Sequence, residues 1–318
     1  MITPLLPKAL RPGATIGIVA PARWPLAFML KNGTDWLESQ GFKVQQHPHM
    51  AERDGRLAGA DLLRANALTA MFADDSVDAI LCARGGSGSF RLLDHIDFDL
   101  IRRHPKIISG FSDITTLLHA ITRRTGLVTF HGPLLWNFAR AANDPRTGRD
   151  WLELLAGDFP SAGKDFPTRS LTQGQTQGKL VGGNLNLLRN LIGTPDDWTG
   201  QDHILFFEDI DEPLYKVDHM LWQLREAEKF SGVRGVIVGD FSPHTDDSTP
   251  STDPDDPPYG KTLPDLLRSH LPPGIPVCME FPCGHGPYLT TLPIGTPIAM
   301  DVTADRTRIR LLEPVVRQ

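Results

Sequence analysis

Four short segments carry the residue types that covalent chemistry needs. In IISGFSDITTLL an apolar run turns through Gly110, Phe111 and Ser112 into a stretch of helical periodicity. A strand-turn-helix setting lifts a serine hydroxyl off a sheet edge. It also places that hydroxyl by the positive end of a helix, where backbone N–H groups can hold a developing oxyanion. The glycine usual after such a serine is replaced by Asp113. A serine before a helix also serves simply as an N-cap, so this motif alone leaves both readings open. In ARGGSGSFRLL, Gly85, Gly86 and Gly88 follow an apolar run, and glycine there permits positive φ and close approach of backbone to a ligand. The lysine and Ser/Thr of a Walker loop are missing, as is the third glycine of a dinucleotide fingerprint. A tight turn remains one reading. The other is a loop that aims a backbone N–H, that of Gly86, at the oxygen faced by the Asp113 N–H.

The third segment is FFEDIDEPLYKVDHMLWQL, in which Glu208 directly follows the apolar run 204–207. A carboxylate at that place is expected to be partly buried and to need a hydrogen-bond donor. Asp211 and Glu212, nearer the next helix, read as partners of its dipole. The fourth is FPCGHGPYLTTLPIG, where His285 lies between Gly284 and Gly286, glycines that let an imidazole project into a cleft. His131 in FHGP competes for the same role, and Cys283 reads as a core thiol. Serine, acid and histidine in that chain order occur in hydrolases built on parallel sheets. His285 would take the Ser112 proton during attack on an amide carbonyl, and Glu208 would hold the imidazole tautomer and stabilise the imidazolium.

Such groups must be positioned by regular elements, and the first half of the chain alternates between strand and helix patterns. ATIGIVAPA is a buried strand; 27–40 a helix ended by Gly41; 57–72 a helix; VDAILCAR a strand; 89–96 the start of a helix; KIISGF a strand leading into DITTLLHAITRR. That alternation predicts a doubly wound parallel sheet, with its ligand at the carboxyl ends of the strands. There lie 83–88, Ser112 and His131-Gly132-Pro133, so Arg84, Gly85 and His131 are candidate substrate-binding residues beside the serine. The expected domains are 1–150, bearing the nucleophile, and 178–318, bearing Glu208 and His285. The segment 151–177 is expected as linker, since 159–177 is rich in Pro, Gly, Ser, Thr and Gln without an apolar period. The segment 244–260, dominated by Asp, Pro, Ser and Thr, is expected to be a mobile loop bordering the cleft.

The 318 residues, 40% hydrophobic and 22% charged, suit a two-domain globular protein. A formal net charge of -6 argues against nucleic acid or an anionic membrane as the main partner. Cys82, Cys278 and Cys283 contain no CxxC pair, so neither a disulfide framework nor a zinc ribbon is indicated. The apolar run 14–20 is short and interrupted by Gly17, which favours a first strand over an export signal. A cytoplasmic protein acting on a small molecule or peptide is expected.

Taken together, RGGSGSFRLLDHIDFDLI, SGFSDITTLLHA, HGP, GGNLNLLRNLIGTP, FFEDIDEPLYKVDHMLWQL and CGHGPYLTTLPIG resemble the murein tetrapeptide LD-carboxypeptidases over about residues 14–300. The resemblance implies a flavodoxin-like α/β N-terminal domain, a smaller swivelling-type β/α C-terminal domain, and a homodimer without metal or cofactor. It implies Ser112 as nucleophile, Glu208 and His285 as the rest of the triad, and the Asp113 and Gly86 N–H groups as oxyanion donors. The implied reaction is release of the terminal D-Ala of a murein tetrapeptide from meso-diaminopimelate during peptidoglycan recycling. Relatives include the microcin C self-immunity peptidases, and a non-catalytic muropeptide-binding protein is a third reading. Two departures bear on substrate: Ser87 where the family's loop reads RGGYGS, and Asp218-His219 where its helix carries Asp-Arg.

Overall fold

The computed structural model describes residues 4–140, 143–241 and 259–318. The segment 244–260 lies outside the described residues apart from Tyr259 and Gly260. The chain forms two compact units. One comprises Met1–Pro160, Pro287–Thr296 and Leu312–Gln318; the other comprises Ser161–Gly286 and Pro297–Leu311.

The first unit is built on β1 (Thr15–Val19), β2 (Lys43–Gln46), β3 (Ala79–Cys82), β4 (Ile107–Gly110) and β5 (Thr129–His131). They lie in the parallel order β2-β1-β3-β4-β5, the flavodoxin-like arrangement. A strand from late in the chain, Leu292–Ile294, adds antiparallel to β5 with Leu292 opposite His131. The central strands are continuous apolar runs because both faces of a doubly wound sheet are covered; β3 and β4 are buried throughout. Between them run α1 (Ala27–Ser39), α2 (Asp61–Ala73), α3 (Phe98–Arg103) and α4 (Thr115–Thr125), followed after β5 by α5 (Leu135–Ala139) and α6 (Pro145–Ala156). The helix expected from residue 57 begins at Asp61, since Gly55 and Gly59 take positive φ and break any earlier turn. The helix expected over 89–96 is a single 3₁₀ turn, Ser89–Leu92, too short to sustain a helical nucleus.

The second unit holds an eight-stranded mixed sheet. Its members are β6 (Lys164–Pro167), β7 (Arg169–Thr172), β8 (Gly174–Asn184), β9 (His203–Glu208), β10 (Gly235–Val238) and β11 (Val277–Met279). After β12, the Leu292–Ile294 strand already described, the sheet is completed by β13 (Pro297–Val302) and β14 (Arg306–Leu311). The order is β6-β14-β13-β8-β9-β10-β11-β7, with β8 to β11 parallel and the outer strands antiparallel. Among its described residues are three helices, α7 (Leu185–Asn190), α8 (Leu214–Glu226) and α9 (Leu263–His270). Leu188, Leu205, Val217, Leu221, Leu224 and Val236 are among its buried core. Each such side chain contributes about 1.5–3 kcal/mol of transfer free energy.

The expected linker 151–177 is not one. Its first residues finish α6, and β6, β7 and the start of β8 take up most of 164–177. These strands are half-exposed, so polar side chains alternate with intermediate ones and no continuous apolar run forms. Their backbone groups are satisfied by the ladder, which composition does not reveal. The expected domain 178–318 also differs, because Pro287–Thr296 and Leu312–Gln318 cluster with the first unit.

Candidate active site

In the first unit the site grows from the ends of β3 and β4. Phe111 is extended (φ -150, ψ -171) and Ser112 then takes φ +61, a left-handed conformation that a residue with a side chain adopts at a cost. Ser112 begins a 3₁₀ turn, Ser112–Ile114, and α4 is preceded by Ile114, so the serine does not cap that helix. The turn is a sharp elbow that leaves Ser112 half-buried.

The glycine loop after β3 is shaped around this elbow. A methyl group on Gly85 would stand 3.1 Å from Ser112 Cβ and 3.3 Å from its Oγ, so only glycine lets that backbone come so close. Gly86 (φ +123) is exposed and lies against Arg23; Gly88 (φ +102) turns the chain into the 3₁₀ segment. The loop is tied to the elbow by the Ser89 N–H donating to Asp113 Oδ2 at 2.9 Å and the Ser89 hydroxyl donating to the Asp113 carbonyl. Burial, the largest influence, raises the Asp113 carboxyl pKa although the Ser89 donors oppose it. The completely buried Arg64 donates to the carbonyls of Gly59 and Gly88, each at 3.0 Å, and to that of Pro21, and pairs with Asp61. One guanidinium thus fixes the chain after β1 and after β3. Sequence reasoning missed it, because nothing in DLLRAN distinguishes a buried arginine from a surface one.

Arg84 is half-buried beside the Trp136 ring, 5.8 Å from its centroid. His131, the other candidate beside the serine, lies inside the sheet. It is wholly buried in β5, edge-on to Phe111 at 5.9 Å, so it packs behind the elbow.

In the second unit β9 ends in Glu208, which is fully buried, and its Oε2 lies 2.7 Å from His285 Nδ1. That bond assigns the Nδ1 proton to the side facing the carboxylate and leaves Nε2 to act as a base. Burial, the largest influence, lowers the His285 pKa, but the Glu208 charge and hydrogen bond, helped by Asp209 and Asp240, outweigh it and raise the imidazole. Asp209 is buried beside Glu208 and accepts from Asn184 Nδ2 at 2.8 Å and from the Ile210 and Asn186 N–H groups. Burial and then the Glu208 charge push its carboxyl up to about 7.

The glycines around His285 do more than free the imidazole. A methyl group on Gly286 would lie 2.1 Å from Asp240 Oδ2, and one on Gly284 would lie 3.1 Å from Glu208 Oε2. Gly239 likewise leaves room for Glu208 Cβ and the Cys283 thiol. All three cysteines are buried thiols outside any disulfide among the described residues, and burial first, then the Glu208 charge, holds the Cys283 thiol protonated. Among the described residues no group of His, Cys, Asp and Glu has the arrangement of a metal site.

A strained serine at a parallel strand end and a histidine oriented by a buried carboxylate are the parts from which acyl-transfer enzymes are made. They define an α/β protein of the hydrolase class. The sequence matches the LD-carboxypeptidase N-terminal domain over residues 16–132 and the LD-carboxypeptidase C-terminal domain over residues 177–300. It is 39% identical over 308 residues to the protein named “Probable murein peptide carboxypeptidase” of Bacillus subtilis (strain 168), covering 95% of this chain and 93% of that one. The crystal structure of muramoyltetrapeptide carboxypeptidase from Oxalobacter formigenes superposes with a TM-score of 0.81 at 28% identity, covering 93% of this chain and 98% of that one. The microcin C7 self-immunity protein MccF of Escherichia coli is 26% identical over 334 residues, 94% of this chain and 93% of that one. The chain belongs to the LD-carboxypeptidase family of peptidases.

Proposed function

We propose that this chain is a serine carboxypeptidase that hydrolyses the L,D-peptide bond between meso-diaminopimelate and the terminal D-Ala of murein tetrapeptides, in the cytoplasm, for peptidoglycan recycling. The observation that carries the reading is Ser112 at φ +61, a strained conformation that a capping serine does not need. The names of the murein peptide relatives support the substrate.

In this mechanism Ser112 Oγ attacks the carbonyl carbon of the L-centre while His285 Nε2 takes its proton. The negative charge that forms on the carbonyl oxygen is held by the N–H groups of Asp113 and Gly86, where removal of one such donor typically costs about 10²–10³ in rate. His285 then passes the proton to the departing amine, and D-Ala leaves. Water, deprotonated by His285, cleaves the resulting ester and restores Ser112. Glu208 stabilises the imidazolium throughout without accepting its proton.

Incubation with UDP-MurNAc-tetrapeptide is expected to release free D-Ala from the wild-type protein. Ser112→Ala is expected to lower kcat by roughly 10⁴–10⁶-fold with the fold intact. An undiminished Ser112→Ala rate would refute the nucleophile assignment. Turnover of an acyl-aspartyl-adenylate peptide without D-Ala release would place the chain with the microcin-type peptidases instead, while tight muropeptide binding without turnover would make it a sensor.

A further inference from the structure

Asp240 follows β10 as Glu208 ends β9, and the two strands are parallel neighbours. Its backbone carbonyl accepts from the Asp209 N–H at 3.0 Å, and its side chain accepts from the Gly286 N–H. The carboxylate therefore grips the residue after His285, and the missing side chain of Gly286 makes that contact possible. Glu208 Oε1, fully buried, has no hydrogen-bond partner among the described residues. The acid thus holds the imidazole through one oxygen.

We propose that Asp240 is a positioning residue for His285: it anchors the 284–286 loop through the Gly286 N–H and sets a second carboxylate beside the imidazole that Glu208 orients. This rests on His285 being the general base. Its chemistry is that of a distal restraint, since a base held in register transfers protons faster than one that librates.

The charged neighbourhood is defined. Glu208 and Asp209 face the imidazole from the end of β9, Asp240 from the end of β10, and Glu280 from the end of β11 adds to the field on Asp240. Cys283 is buried alongside as a neutral thiol. Arg169 and Lys261 line, with Asp240 and Glu280, an open cavity of about 400 Å³, and Arg169 is engaged by Glu280 at 3.4 Å. Burial and the Glu208 charge raise the Asp240 pKa, whereas its bond from Gly286 lowers it. An ionised Asp240 favours the imidazolium, so its removal must make His285 easier to deprotonate.

The Asp240→Asn protein separates the two roles, because the amide keeps an acceptor oxygen for Gly286 but loses the charge. The His285 ring is followed by NMR titration in wild type, Asp240→Asn and Asp240→Ala, its signal identified by its absence in His285→Gln. The Asn variant is expected to titrate lower than wild type, because the imidazolium loses a nearby negative charge. Its acid limb of kcat/KM is expected to move down in parallel, with the plateau within about threefold. The Ala variant, lacking the anchor as well, is expected to lose about tenfold in kcat with KM little changed, as for an interaction realised in the transition state. Superimposable His285 titrations in wild type and Asn variant would overturn the proposal, as would full kcat in the Ala variant. The titration needs no turnover. A wild type that releases no D-Ala but shows the shift would sink the substrate reading while leaving the role of Asp240 standing.

Discussion

At the scale of single residues, the two halves of the chemistry differ in how the sequence announces them. Ser112 is legible from its strand-turn-helix setting, and Glu208 from an acid that ends an apolar run. His285 stands out by its flanking glycines. Asp240 follows the apolar run 235–238 one residue later, after Gly239, and is less legible because it sits before a Pro- and Asp-rich stretch. Glu208 and His285 also make the pH dependence predictable. As the base, His285 works neutral, and its pKa is raised above 6.5. Activity should therefore fall as pH drops through that raised value and level off above it. Glu208→Gln keeps the shape of the side chain but removes the charge that raises the imidazole, so the acid limb should move to lower pH as kcat falls by an intermediate factor. A kcat/KM profile of that variant is the check. A limb that does not move would mean that a group other than His285 sets it, and full activity with inactive Glu212→Gln would identify Glu212 as the working acid.

At the scale of elements, the parallel core was legible because β1, β3, β4 and β9 are largely apolar runs, and tertiary packing had no reason to override them. The outer strands β6, β7 and β8 were not, since half-exposed antiparallel strands tolerate Ser, Thr and Gln that read locally as loop. The buried ties between loops were also invisible, and Arg64 is the clearest of them. Replacing it with methionine keeps the stem but strands the buried carbonyls of Gly59 and Gly88. Arg64→Met should cost about 3 kcal/mol in unfolding free energy and lower kcat/KM by loosening the loop that carries Gly85 and Gly86. Arg91 pairs with the same Asp61, yet its side chain is 52% exposed. Arg91→Met should cost less than about 1 kcal/mol. Urea unfolding of the two variants measures the contrast, and equal losses would mean that the Arg64 contacts do not hold the loop.

At the scale of the whole molecule, chain order and compact units part company. The family domains matched over 16–132 and 177–300 follow the sequence, whereas the first unit reclaims Pro287–Thr296 and Leu312–Gln318 after the second has begun. The reason is physical in both cases. Leu292–Ile294 covers the β5 edge, where an open row of N–H and C=O groups would otherwise invite pairing with another chain. The C-terminal tail clasps the N-terminal one: the Ala9 N–H donates to the Arg317 carbonyl and the Arg317 N–H to that of Pro7, each at 2.8 Å. Val315 and Val316 are buried beneath it, at 2% and 3% exposure. Two buried valines at about 1.5 kcal/mol each and two backbone hydrogen bonds at about 1 kcal/mol each leave no surplus over the roughly 1–2 kcal/mol per residue that ordering the tail costs. The clasp should therefore be a local device whose loss is felt in one unit. A chain ended at Leu311 is expected to lose hydrogen-exchange protection at the Ala9 and Leu10 amides while Leu205 and Phe206, inside β9, keep theirs. Val316→Asp in the untruncated chain should give the same pattern through lost burial alone. Protection at Ala9 that survives truncation would make the tail a passenger, and loss that spreads to β9 would mean that the two units unfold as one.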